Sequence, residues 1–168
     1  MELLKDFNIK KYLDKKPPSD NSNQTKKEIL ELTKTPIREN FIKEMDNGQK
    51  VFENIVGKDP LIQKLIVASD KVSNKIKNQV LAKKMGIKMK NIELDTMKTP
   101  SYPSGHSMQG YLIALSLSDK YPNKEKNLMK AARDISHSRR VARSHYKSDS
   151  IFGEQIGKDI YKHIKDKI

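Results

Sequence analysis

Apolar residues recur with a helical period through most of this 168-residue chain, whereas the alternating pattern typical of strands is nearly absent. The longest series follows Asp59-Pro60 and keeps one helix face: Leu61, Leu65, Ala68, Val72, Ile76 and Val80. Pro60 is expected in the first turn of this helix, and Gly86 is placed to end it. The pattern predicts an all-α fold in the form of a compact helical bundle.

Capping signals and apolar spacing divide the rest of the chain into further helices. They are predicted over residues 26–34, from Thr35-Pro36 to near Gly48, from Ser104 onward, over residues 124–141, and after His145 to the C-terminus. Residues 1–25 are interpreted as a polar N-terminal lead. At this length the whole chain, residues 1–168, is expected to form a single domain.

The charge of the chain is strongly positive, with 34 Lys and Arg against 21 Asp and Glu, a net charge of +13. The lysines are scattered along the sequence, which favours a solvated basic surface over a nucleic-acid interface, so no stable nucleic-acid partner is expected. Such a charge would still attract small anionic substrates. There is no cysteine, which excludes disulfides and thiolate metal sites.

No stretch approaches the ~20 apolar residues that span a bilayer, so no transmembrane segment is predicted. The first residues, from Met1 to Asp6, place charges around a short apolar pair and do not form a signal peptide. The sequence therefore predicts a soluble protein, cytoplasmic or otherwise. It leaves open whether the protein forms a homo-oligomer.

Two segments carry the residues that phosphoryl transfer through a histidine needs. Pro103-Ser104-Gly105-His106 offers an imidazole, a hydroxyl and free backbone N–H groups at a predicted helix start. Downstream, His145 has Asp149 four residues later and Arg139 before it. These side chains can supply a nucleophile, a carboxylate that orients it, and a guanidinium that binds phosphate through two N–H groups.

In this order the two segments resemble the signature of the type 2 phosphatidic acid phosphatase superfamily, which also contains class A nonspecific acid phosphatases and vanadium haloperoxidases. Tyr102 before the first segment and Ser107 to Gly110 after it are similar to the soluble acid phosphatases. The resemblance extends from Lys83 to Asp149. It implies the helical bundle of the acid phosphatase and haloperoxidase type, and it implies phosphomonoester hydrolysis.

The family's first motif is a lysine, six residues and then Arg-Pro. Here Lys83 is followed at that spacing by Lys90-Asn91, so the lysine matches and the Arg-Pro does not. Lys90 would keep the positive charge but lose the planar guanidinium.

The resemblance implies a role for each matching residue. His145 would attack phosphorus, Asp149 would fix the tautomer of His145, and His106 would protonate the leaving group. The phosphate-binding residues would be Lys83, Lys90, Ser104, Gly105 and Arg139. No metal or other cofactor is expected, the partner would be a small phosphorylated substrate, and vanadate would act as an inhibitor.

Two alternatives remain. A vanadium-dependent haloperoxidase would use the same residues with vanadate as cofactor. A basic protein could also retain the fold and bind nucleic acid or an anionic membrane surface, although intact His106, His145 and Asp149 argue against that reading.

Overall fold

The computed structural model describes residues 2–79 and 101–168, and these residues form eight α-helices and no strand. The helices are α1 (Lys10–Leu13), α2 (Asn23–Lys34), α3 (Glu39–Asp46), α4 (Gly48–Val56), α5 (Pro60–Gln79), α6 (Gly105–Lys120), α7 (Glu125–Val141) and α8 (Lys147–Ile164), with 3-10 turns at Pro122–Lys124 and Lys165–Lys167. The all-α prediction is confirmed. Within the described ranges, no helix combines the length and apolar character needed to cross a bilayer.

Local capping explains the helix starts that the sequence predicted. Asp59 accepts the backbone N–H of Leu61 at 2.9 Å, so α5 begins at Pro60 as expected. Helix α2 begins earlier than predicted because Ser22 accepts the N–H of Thr25 at 3.1 Å. The predicted end of α5 at Gly86 lies outside the described residues.

The prediction for residues 35–48 was wrong in detail. Thr35 ends α2 instead of starting the next helix, and its hydroxyl donates to the Glu31 carbonyl at 2.9 Å. The next helix, α3, ends at Asp46, and Gly48 begins a further helix, α4, that the pattern did not predict. Asn47 produces this break, because it accepts the N–H of Lys50 at 3.1 Å and so caps α4.

The predicted polar lead also contributes to the core. Tyr12 in α1 is only 4% exposed, belongs to the main hydrophobic cluster, and donates its hydroxyl to Asp159 of α8. Leu3, Leu4 and Phe7 pack against the same cluster. The N-terminal segment is therefore part of the packed bundle.

Helix α6 lies at the centre and packs against α5, α7 and α8. Its core side chains, among them Met108, Leu112 and Leu117, are fully buried. This central position explains why α6 is apolar around most of its circumference, as expected for a helix surrounded by others.

Two glycines let α6 and α8 touch through their backbones. A Cβ atom at Gly153 would lie 2.3 Å from the Ser104 carbonyl oxygen, and one at Gly157 would lie 2.4 Å from the Met108 carbonyl oxygen. No side chain fits such gaps, so only glycine allows this approach. The contact brings the N-terminal ends of α6 and α8 together.

Candidate active site

Ser104 caps α6 and opens the first of the two motif segments. Its side chain accepts the N–H of Ser107 at 3.2 Å, and Ser104 itself is fully buried. Gly105 and His106 follow as the first residues of the helix, where backbone N–H groups have no acceptor within the helix. The positive end of the 16-residue helix α6 therefore faces the same region as the His106 side chain.

The second segment forms the turn between α7 and α8. Tyr146 caps α8, and Asp149 accepts the Tyr146 N–H at 2.9 Å in a capping box. Ser104 donates its N–H to the Asp149 carbonyl at 3.0 Å, which ties the two segments together. The sequence-predicted residues Ser104, Gly105, His106, Arg139, His145 and Asp149 thus meet at the converging helix ends.

His145 and Asp149 form a buried pair. Nδ1 of His145 lies 3.5 Å from Asp149 Oδ2, and the two residues are 8% and 0% exposed. Burial lowers the pKa of His145, with Arg139 and Lys77 acting in the same direction and Asp149 opposing them. The imidazole of His145 is accordingly held neutral over a wider pH range than a free histidine.

His106 is held by the end of α3. Its Nε2 lies 3.0 Å from the backbone carbonyl of Asp46. A carbonyl can only accept, so Nε2 carries the proton and Nδ1 is the nitrogen that can gain or lose one. Burial, with Arg139 and His145, lowers the pKa of His106 from 6.5 to about 3, while Asp46 opposes the shift.

Arg139 lies almost completely inside the protein, at 1% exposure near the end of α7. Its Nη1 donates to Asp46 Oδ1 at 2.9 Å, and its carbonyl accepts both the N–H and the hydroxyl of Ser144 at 3.0 Å. Burial lowers the pKa of Arg139 and Asp46 opposes this, so the guanidinium keeps its charge.

Lys77 of α5 is a further cation of the site, and the sequence analysis did not identify it. It is 8% exposed, and its Nζ lies 3.8 Å from where a Cβ of Gly105 would be. Burial and Arg139 lower its pKa to about 8, against the opposing effect of Asp149 and Asp70. Lys77 therefore carries its charge at neutral pH beside the N-terminus of α6.

A signal for Lys77 does exist in the sequence. Ser69, Ser73 and Lys77 recur at every fourth residue of α5, and all three are buried, at 1%, 6% and 8% exposure. Small polar residues at this spacing next to an apolar stripe indicate a helix face that packs around a polar site. The abundance of lysine in this chain hid the signal.

Lys83 and Lys90, the other predicted phosphate-binding lysines, lie outside the described residues. Tyr102, which precedes the first motif segment, stacks on Phe152 with ring centroids 4.7 Å apart and is 7% exposed. Its contacts are those of a packing residue.

The candidate site opens into a cleft of about 480 Å³. Its lining includes Asp46, Lys77, Gly105, His106 and His145. In the described part of the chain, no group of three or more His, Asp or Glu side chains is arranged to hold a metal ion. The positive groups beside this cleft include Lys77 and the N-terminus of α6, and Asp70 also lines it.

Comparison with known proteins finds a partial similarity to a phosphatase. A 60-residue segment is 37% identical to the non-specific acid phosphatase of Salmonella typhimurium, and it covers 36% of this chain and 24% of that protein. The chain thus matches about a quarter of the length of this relative. No protein-family model matches the chain. The similarity supports a phosphatase-like relationship.

Proposed function

We propose that this protein hydrolyses phosphomonoesters through a covalent phosphohistidine on His145. The observation that carries the proposal is the meeting of His145, His106, Arg139 and Lys77 around the N-terminus of α6. Buried cations and a helix N-terminus bind a phosphoryl group, and two differently held imidazoles can divide the roles of nucleophile and acid. The partial similarity to an acid phosphatase agrees with this chemistry.

In the first step His145 is the nucleophile. Asp149 faces Nδ1 of His145 at 3.5 Å, which favours the proton on Nδ1 and leaves the lone pair on Nε2. Nε2 would attack phosphorus in line as the bond to the ester oxygen breaks. The lowered pKa of His145 keeps this lone pair available in mildly acidic solution.

His106 would serve as the acid for the leaving alcohol. Because Nε2 of His106 is bound to the Asp46 carbonyl, the proton comes from Nδ1. The neutral His106 would then take a proton from water as that water's oxygen attacks phosphorus. The bond between phosphorus and His145 breaks, inorganic phosphate leaves, and both histidines return to their starting states.

Arg139 and Lys77 would bind the phosphate oxygens together with the N–H of Gly105 and the Ser104 hydroxyl. In such a cluster the donors stay fixed while negative charge moves between oxygens, which lowers the barrier of phosphoryl transfer. We further propose that these groups act without a metal ion.

The proposal is tested by incubating the purified protein with alkyl phosphates, aryl phosphates, nucleotides and pyrophosphate in EDTA. We expect release of phosphate from monoesters, and a labelled protein after quenching in alkaline detergent, where phosphohistidine is stable. Loss of the label in acid would identify the phosphorus–nitrogen bond. Turnover without any trapped label, or turnover that requires a divalent metal, would contradict the mechanism.

A further inference from the structure

One acidic residue, Asp46, contacts both Arg139, which is proposed to bind phosphate oxygens, and His106, which is proposed to protonate the leaving alcohol. Its carboxylate accepts from Arg139 Nη1 at 2.9 Å, and its backbone carbonyl lies 3.0 Å from His106 Nε2. The same carboxylate is 3.6 Å from that nitrogen.

The fold explains why Asp46 reaches this place. It is the last residue of α3, where backbone carbonyls accept no hydrogen bond from within the helix. Helix α3 is fixed to the end of α7 by a buried cluster of Ile42, Val141 and Ala142. The end of α3 is therefore held next to Arg139, and His106 donates to the backbone carbonyl of Asp46 there.

The charges around His106 oppose one another. Burial, Arg139 from α7 and His145 from the α7–α8 turn disfavour a second proton on the ring, and Lys77 and Asp70 from α5 line the same cleft. Asp46 from α3 favours it through both its carbonyl and its carboxylate. An acid must be protonated before it can donate, so the carboxylate supports the form of His106 that the reaction needs.

We propose that Asp46 is a positioning residue for this reaction, one that holds the Arg139 guanidinium and maintains His106 as a proton donor toward the leaving alcohol. The inference rests on the proposed function. It goes beyond that function by giving a role to a residue of α3 that lies far in sequence from both motif segments.

The Asp46→Asn variant separates charge from shape, because the amide oxygen can still accept from Arg139 and the backbone carbonyl is unchanged. We expect kcat for an alkyl phosphate to fall about tenfold, with a smaller change for an aryl phosphate, whose leaving group needs little protonation. The basic limb of the alkyl profile should move to lower pH. Glu44→Gln removes an exposed carboxylate of the same helix and should change nothing.

The ratio of alkyl to aryl turnover does not depend on how much of the variant is folded, so it remains decisive if Asp46→Asn is unstable. Titration of the His106 ring protons by NMR gives a second readout that needs no substrate. Its pKa should be lower in Asp46→Asn than in the wild type. An unchanged ratio together with an unchanged titration would overturn the proposal, as would equal losses with both substrates. A wild-type protein that hydrolyses no monoester would instead refute the proposed function.

Discussion

The backbone N–H of Ser104 donates to the backbone carbonyl of Asp149 at 3.0 Å. This bond joins the residue that starts α6 to the residue that faces His145. The proposed nucleophile and the N-terminus of α6 are thus held together by main-chain atoms, so side-chain changes nearby should alter charge at the site before they alter its geometry.

Replacing His145 by alanine should abolish phosphoenzyme formation and lower turnover by at least ~10³-fold, because the variant lacks the proposed nucleophile. Single-turnover trapping with labelled substrate measures this directly. His137→Ala is the matched control, since His137 lies outside the cleft and contacts Arg140. Substantial labelling of His145→Ala would refute the assignment.

The His106→Ala variant should distinguish substrates by their leaving groups. We expect alkyl phosphate turnover to fall by ~10²–10⁴-fold and aryl phosphate turnover to fall much less, because an aryl oxide leaves without a proton. In the wild type, the lowered pKa of His106, about 3, means that the protonated ring is lost as pH rises. Activity on alkyl phosphates should therefore be greatest in acid. A bound phosphate dianion would extend this activity to higher pH. Equal losses with both substrates would show that His106 is not the acid.

Lys77→Ala should weaken competitive inhibition by inorganic phosphate by roughly 10–100-fold, the effect of losing one contact to a charged group. The pKa of Lys77 is about 8, so the wild-type ammonium loses its proton as pH rises through that value and phosphate binding should weaken there. Lys77→Arg should remove this loss, because a guanidinium stays charged. Lys75→Ala, at an exposed position of α5, is the control. Unaltered phosphate inhibition in Lys77→Ala would contradict the role.

Lys90 remains a separate prediction from the sequence. If it supplies the charge of the missing family arginine, Lys90→Ala should lower kcat/KM by about 10–100-fold and Lys90→Arg should be tolerated. The double variant with Lys77→Ala would show whether the two lysines act on the same phosphate, because their effects would then not add. An unchanged rate in Lys90→Ala would show that Lys90 does not replace the missing family arginine.

Orthovanadate should inhibit competitively and at least ~100-fold more tightly than phosphate, since it becomes five-coordinate and matches the geometry of the transferring phosphoryl group. The inhibition should disappear in His145→Ala, and EDTA should have no effect on turnover. Bromide oxidation by peroxide in the presence of vanadate would instead favour the haloperoxidase alternative. Lost activity on chelation, restored by a divalent metal, would overturn the metal-free mechanism.

Those parts of the fold and site that depend on short-range patterns could be predicted from the sequence. Ser104 as a helix cap and Asp149 one helical turn after His145 follow from local spacing, and the structure has them there. A helix end near Gly48 was predicted, but the start of α4 at the same place was not, because glycine is a common signal for a helix end.

The parts that depend on distant contacts could not be predicted. Asp46 reaches Arg139 across 93 positions of sequence, through the packing of α3 on α7. Nothing in the residues around Asp46 distinguishes it from the other acidic residues of α3. Lys77 was obscured for a different reason, because a lysine is unremarkable at any position in a chain with this composition.

The glycine contacts between α6 and α8 determine which substitutions the candidate site tolerates. Elsewhere in the bundle, a larger or smaller core side chain can be accommodated by small shifts of its neighbours. At Gly153 the facing atom is the Ser104 carbonyl oxygen, which cannot rotate away without disturbing the start of α6. Even a single added methyl group there would push the helix that carries Asp149 away from the helix that carries His106. The two glycines thus act as a fixed spacer, and the distance between His106 and Asp149 depends on the absence of side chains where α6 and α8 touch.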